Sequence, residues 1–355
     1  MCFHLQQFPV IEKNYLFYDF LYVKLIDRRD IVSRQFSLFE KDYEYFETGN
    51  QPDKYDLIID IGRFSPPDHG YLIENDKFLC SDTYIYSEKR YKFARFSYLI
   101  RFLPDNSIYA NIFPNFFGNR VFHHLLLDYL INIKMSQKGF SNIHAAAITQ
   151  NDEAIIISGP GGAGKTSFTL YCVGLGCRIL GDDRVFLRDG MVSEFPECPG
   201  ISSANSGYIR QYLSLKARCL LGINAFVRLL SCGYVGSLLS CSFKDIFDEQ
   251  FLGRKAKLKT ILILQPGTTF KVEKIDKNAA CHYLMLNQQF EDRFITEMIF
   301  NYSFINCGNQ LLQYLKEYES RLSKNLSGGL EAYFIEVPAG NYVSVNLWLK
   351  KRFSS

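Results

Sequence analysis

Apolar and polar positions follow two rhythms along the chain. Up to about Gly139, short apolar runs alternate with turn signals. "YDLIIDI" (Tyr55–Ile61) is rich in β-branched residues and bounded by Pro52 and "SPPDHG", the pattern of a strand. "GYLIENDKFLC" reads as a hairpin turning at Glu74-Asn75-Asp76, and "RFSYLIRF" and "SIYANIF" read as strands across a "PDN" turn. "NRVFHHLLLDYLINIKMSQKG" (Asn119–Gly139) places apolar residues at helical spacing and ends on a glycine. This half therefore predicts antiparallel β-structure closed by one helix. From Ser141 the runs become short and continuously apolar. "IHAAAI" and "EAIIISG" read as strands, "KTSFTLYCVGLG" as a helix ending at Gly174 or Gly176, and "CRILGDDRVFL" as the next strand. "LKTILILQPG", "TFKVEKI" and "LEAYFIEVPAG" follow as strands, with "QFEDRFITEMIFNYSFI" and "NQLLQYLKEYESRLSKN" as helices. Strand, glycine loop, helix and strand make an α/β unit. The expected architecture is an α/β domain over 141–355, with a helical insert around 202–253, preceded by a smaller α+β domain over 1–140.

Composition narrows the function classes. The 355 residues suffice for one large or two ordinary domains, and 47% hydrophobic with 22% charged residues is an ordinary globular balance. A net charge of +3, with no run of Lys and Arg longer than three, argues against an electrostatic nucleic-acid surface. Ten cysteines stand scattered without a CxxC pair or zinc spacing; Cys172 and Cys177 read as packing residues. With "MCFHLQQFPVIEKN" lacking a secretory pattern, reduced thiols in a cytoplasmic protein are expected. The long apolar run Cys219–Cys241 carries Arg228 near its centre and Gly233 and Gly236 within it, which argues for two short buried or surface-packing helices and against a membrane span. His123 and His124, with no acid or cysteine at ligand spacing, read as packing or solvated residues.

The chemistry concentrates at "GPGGAGKT", Gly159 to Thr166. Gly159, Gly164, Lys165 and Thr166 have the spacing of a phosphate loop, preceded by a strand and followed by a helix. Glycines let the backbone curl so that N–H groups of Gly159, Pro160-flanking Gly161, Gly162, Ala163 and Gly164 face phosphate oxygens, and the helix adds its positive end. Lys165 would reach the β- and γ-phosphates and Thr166 would offer a hydroxyl to Mg²⁺. Gly159, Gly161 and Gly164 also satisfy a dinucleotide pattern, with Asp182 where an acid could hold a ribose. A dinucleotide loop has no use for the Lys-Thr pair, so the phosphate loop is preferred.

"ILGDDRVFL" puts two acids side by side at a strand end. Neighbours in a strand face opposite ways, so Asp182 and Asp183 serve one site only if the strand ends there. One carboxylate could hold Mg²⁺ and the other accept a proton from an attacking hydroxyl. A solvated turn explains the pair equally well.

Taken together these residues resemble the HPr kinase/phosphorylase family and its HPr-kinase-like serine kinase relatives. His144 stands 15 positions before Gly159, and the paired acids follow Lys165 by 17 and 18. The resemblance implies a P-loop kinase domain of the HPr kinase/phosphoenolpyruvate carboxykinase type, with His144, Lys165 and Asp183 at the transfer site. Asp183 would be the proton acceptor and Asp182 its support. Thr166 takes the metal-binding place where the family more often has Ser, with Asp182 and Glu197 as further metal positions. The match runs from about Ser141 to Gly200. The glycine-rich signature that carries the family's metal-binding Glu is replaced by "SEFPECPGISSANS", which contains Glu197, and no segment corresponds to the reverse reaction. That argues against a phosphorylase and against HPr as the acceptor.

The expected function is therefore an ATP- and Mg²⁺-dependent kinase acting on a hydroxyl, foremost a serine of a peptide or small protein recognised by the aromatic N-terminal domain. A small-molecule acceptor and a nucleotide-binding regulatory module are the alternatives. Homo-oligomers are compatible with the sequence. Arg254 and Lys255 read as a solvated basic turn.

Overall fold

The computed structural model describes residues 9–35, 37, 39–73, 78–197, 200–201, 205–231, 242–326, 328–338 and 343–353. The chain forms two units, Met1–Lys138 with Arg293–Lys316, and Gly139–Asp292 with Glu317–Ser355.

The first unit is built on a nine-stranded sheet among the described residues. It is mixed, where the sequence pattern predicts an antiparallel one. Leu57–Ile61 lies parallel both to Leu21–Asp27 and to Ile108–Pro114. Parallel neighbours need a crossover, which turn signals do not reveal. The segment between Asp27 and Leu57 supplies one through two short helices, Ile31–Gln35 and Phe39–Asp42. The outer strands are the expected meander. Tyr84–Tyr91, Ala94–Phe102 and Ile108–Pro114 pair antiparallel in sequence. The arms Tyr71–Ile73 and Phe78–Cys80 also pair antiparallel, while the expected turn at Glu74-Asn75-Asp76 lies outside the described residues.

Two expected helices differ in detail. The run through Asn119–Gly139 opens with a π-helical stretch, His123–Leu127, before the α-helix Asp128–Gln137. The run from Gln289 breaks at Asp292, and the helix Arg293–Ile305 belongs to the first unit. The expected second domain, 141–355, is thus interrupted by Arg293–Lys316. The cause is side-chain packing: Tyr302 stacks on Phe102 at 5.3 Å and its hydroxyl donates to the Asp82 carbonyl at 2.7 Å. Periodicity shows a helix face but not the sheet it will cover.

The second unit is also a mixed sheet, in the order Ser141–Ile143, Val185–Arg188, Met191–Ser193, Ala256–Gly267, Glu153–Ser158, Ala146–Gln150, Arg178–Gly181. Glu331–Pro338 runs parallel to Ala256–Gly267 and carries Lys271–Ile275 antiparallel on its other edge. In Glu153–Ser158, Ala154 and Ile156 join one core cluster, and Ile155 and Ile157 another, on the opposite face. A strand buried on both faces must read as a continuous apolar run, which is why "AIIIS" does. The helices Lys277–Glu291 and Tyr318–Asn325 cover one face through Leu284 and Leu322, and Lys165–Gly174 covers the other through Phe168. Cys172 and Cys177 are buried in that second cluster, Cys177 lying just beyond the helix end.

The insert contains the helix Leu215–Leu230, capped by Ser214 Oγ accepting from Ala217 N at 3.0 Å. It covers the first part of the expected run and leaves Phe226, Leu229 and Leu230 exposed, as a surface-packing helix does. Residues 232–241, with Gly233 and Gly236, lie outside the described ones. Among the described residues no helix is long and apolar enough to cross a membrane.

Candidate phosphate-loop site

Glu153–Ser158 lies between an antiparallel neighbour, Ala146–Gln150, and a parallel one, Ala256–Gly267. At its carboxyl end the chain turns at Gly159, where a Cβ would collide with the backbone oxygen of Leu264 on the parallel strand. Only glycine lets the loop leave there. Pro160, Gly161 and Gly162 are exposed, and Ala163 is buried with its N–H donating to the Pro160 carbonyl at 3.1 Å. Gly164 caps the helix in the left-handed region, at φ 92°. Having no side chain, it leaves the first-turn N–H groups of Lys165–Gly174 uncapped, as an anion site requires.

Lys165 is buried, and its Nζ donates to the Gly159 carbonyl at 2.8 Å, closing the loop on itself. Burial pushes its pKa down, against the opposing pull of Asp183, Glu291 and Asp182. Those groups are therefore its electrostatic surroundings.

The strand expected over "CRILGDDRVFL" is two strands, Arg178–Gly181 and Val185–Arg188, broken at the acids. The break resolves the alternation problem. Asp182 turns inward, buried, and Asp183 stands exposed beside it. Thr166 Oγ1 donates to Asp182 Oδ2 at 2.8 Å, and the Gly200 N–H donates to the same oxygen at 3.1 Å. Asp182 Oδ1 is buried without a partner among the described residues. Burial, with the neighbouring Asp183 charge second, raises the Asp182 pKa to about 6.

His144 sits between Ser141–Ile143 and Ala146–Gln150, clamped through its backbone. Its N–H donates to Gln288 Oε1 at 2.6 Å, and its carbonyl accepts from Asn287 Nδ2 at 2.7 Å. The imidazole Nε2 stands 3.7 Å from Glu291 Oε1. Burial first, then the Lys165 charge, lowers its pKa, while Asp183 and Glu291 pull it upward. His144, Lys165, Asp182, Asp183 and Glu291 thus share one electrostatic neighbourhood.

Glu197 lies in the segment that follows Met191–Ser193 and precedes Gly200. It is buried with Oε1 3.6 Å from Arg184 Nη2, and the Arg184 guanidinium lies 5.0 Å over the Phe195 ring. Arg254 and Lys255 are exposed, in keeping with a solvated turn.

Four neighbours carry no signal in the sequence: Asn287, Gln288, Glu291 and Asp292. They come from a helix end some 140 residues beyond His144, brought in only by tertiary packing. Asp292 is buried, accepts from Gln288 Nε2 at 2.9 Å, and is raised by burial to about 7.

No family model matches the chain, and no curated protein matches it. Among solved structures, the Hpr(Ser) kinase/phosphatase from Coxiella burnetii is similar at 14% identity and a TM-score of 0.25. That match covers 60% of this chain and 95% of the other.

Proposed function

We propose that the chain is an ATP- and Mg²⁺-dependent kinase that transfers the γ-phosphoryl group to a hydroxyl, foremost a serine of a peptide or small protein. The observation that carries this reading is the hydrogen bond from Thr166 to Asp182 at the mouth of the glycine loop, with Asp183 exposed beside it. A hydroxyl at the helix start and a carboxylate on a nearby strand are the donor set of a Mg²⁺–nucleotide site. The orphaned Asp182 Oδ1 fits such a cation, because a buried carboxylate oxygen without a donor calls for a positive partner. Bound there, Mg²⁺ would neutralise charge on the phosphates.

The chain's own groups supply the rest. Loop N–H groups and the helix start bind the phosphates, and Lys165 leaves Gly159 to meet them. The acceptor oxygen forms its bond to the γ-phosphorus as the bond to the β-phosphate bridging oxygen breaks and ADP departs. Asp183 takes the hydroxyl proton, and its exposure suits a group that must meet an incoming acceptor. His144, kept neutral by burial, orients that carboxylate or the phosphate.

The dinucleotide alternative loses its support. Asp182 faces Thr166 instead of a distant ribose, and the loop strand's neighbours are one parallel and one antiparallel. A dinucleotide fold needs a parallel set there. The test is ATP turnover with Mg²⁺ over serine-containing peptides, wild type against Asp183→Asn, followed by mass spectrometry. A phosphopeptide formed by the wild type and lost in the variant, with ATP still bound by both, supports the kinase. Binding without transfer to any peptide or small hydroxyl compound indicates a regulatory module instead.

A further inference from the structure

We infer that Asp42, His123 and His124 form a binding site for a divalent first-row transition metal in the N-terminal unit, with zinc as the best fit. One ring nitrogen of each histidine and an Asp42 carboxylate oxygen all lie within 4.8 Å of one another. Asp42 ends the short helix Phe39–Asp42, 81 residues before His123, so no sequence spacing announces the cluster.

The backbone is shaped to make it. Adjacent residues of an α-helix point about 100° apart and do not normally share a site. Here the two histidines open a π-helical stretch, His123–Leu127, and their ring centroids are 3.7 Å apart. Single π-turns recur at functional sites. Each donor is also held. His123 Nε2 meets Asp42 Oδ2 at 2.9 Å, and His124 Nδ1 meets Asp128 Oδ2 at 3.0 Å. The Tyr43 hydroxyl donates to the other Asp128 oxygen. A carboxylate behind a ligating histidine is a common outer-shell arrangement of metal sites.

A plain hydrogen-bond network would account for the two acid–histidine contacts. It leaves one observation over. The two imidazoles lie close and tilted, with ring centroids 3.7 Å apart and planes at 41°, which no acid–histidine bond requires. A cation drawing one nitrogen from each ring accounts for this closeness. Two imidazoles and a carboxylate select zinc or a neighbouring transition ion over Mg²⁺ or Ca²⁺. Bonds of about 2 Å in a tetrahedral site set donor atoms about 3.3 Å apart. His123 and Asp42, at 2.9 Å, need to part only slightly. His124 is half exposed, so the ion has a way in from solvent.

The test titrates Co²⁺ into full-length, chelator-stripped protein, in an Asp182→Asn background so that the loop takes none. The expected result is one equivalent with the visible bands of nitrogen-ligated cobalt, displaced by Zn²⁺. His124→Ala, at a half-exposed position, should keep the far-ultraviolet circular dichroism and weaken binding at least about tenfold. His124→Cys should restore binding and add a sulfur-to-cobalt charge-transfer band. No nitrogen-ligated band in the parent, or one that His124→Ala leaves unchanged, overturns the site.

Discussion

Thr166 Oγ1 and Asp182 Oδ2 are joined by a 2.8 Å hydrogen bond across sixteen residues of chain. The bond ties the first turn of the loop helix to the strand break that holds the paired acids. It also lowers the Asp182 pKa, offsetting part of what burial and Asp183 raise. The hydroxyl is therefore a positioning group for the carboxylate as well as a donor for a cation.

Thr166→Ala should move that balance in a fixed direction. Without the hydroxyl, Asp182 Oδ2 keeps the Gly200 N–H and the carboxyl pKa rises above its present value of about 6. Because that value already exceeds the unfolded one of about 3.9, the folded chain binds more protons between the two. Asp182 thus costs stability as pH rises through that window, and the variant extends the window upward. The lost bond should itself cost about 1–2 kcal/mol. Mg²⁺-dependent nucleotide binding by the wild type should fall as pH drops through about 6, where Asp182 is neutralised. Isothermal titration against pH should place the fall higher in Thr166→Ala. A fall at the same pH in both would separate the bond from cation binding.

Lys165→Met should split binding from stability. The lysine is buried and burial lowers its pKa, so its charge is held at a cost in the unliganded chain. An apolar side chain of similar length should leave the melting temperature unchanged or raised. Mg²⁺–ATP affinity should drop on the order of 100-fold, as for loss of a preorganised charge on the phosphates. Calorimetry gives both numbers. A marked loss of stability with intact nucleotide binding would make Lys165 a structural strut to Gly159.

Two loop glycines should respond differently to the same methyl group. Gly159→Ala places a Cβ against the Leu264 carbonyl of a central strand, which cannot move aside cheaply. A loss of about 2 kcal/mol or more is expected. At Gly161 a Cβ meets nothing within 4 Å, and no positive φ opposes it. Gly161→Ala should therefore unfold with the wild type in urea, within about 0.5 kcal/mol. Equal effects would mean that the loop does not pack on Leu264 in solution.

These residues also show how far the sequence could be read. The loop was legible because its chemistry is local: strand, glycines, lysine and helix lie within about twenty consecutive residues. The paired acids were legible as acids, but the division into a buried Asp182 and an exposed Asp183 was not. That division depends on the strand breaking at Asp182, and the run "ILGDDRVFL" is equally apolar on both sides. The place of Glu197 in the chain gives no sign of its neighbour Arg184, whose guanidinium lies over the Phe195 ring. Asn287, Gln288 and Glu291 were invisible, because a polar patch on an amphipathic helix reads as a solvated face. The parallel strands of the first unit were missed for the same physical reason: pairing partners are a tertiary choice, and alternation gives only the face.

The His144 imidazole reports on that tertiary arrangement and can be made to test it. Lys165 lowers its pKa and Glu291 raises it, so removing each charge should move it in opposite directions. Glu291→Gln should lower the midpoint followed by the imidazole proton resonance, and Lys165→Met should raise it. Since burial already holds the folded value below the unfolded one of about 6.5, His144 contributes stability that is lost as pH falls into the acid range. Glu291→Gln should carry that loss to lower pH, because more of the unfolded state's protons must then be given up on folding. Its direct effect on phosphoryl transfer should be about tenfold or less, as expected of a group that acts through another. Midpoints that do not move, or that move together in both variants, would place His144 outside the reach of Lys165 and Glu291 and remove it from the transfer site.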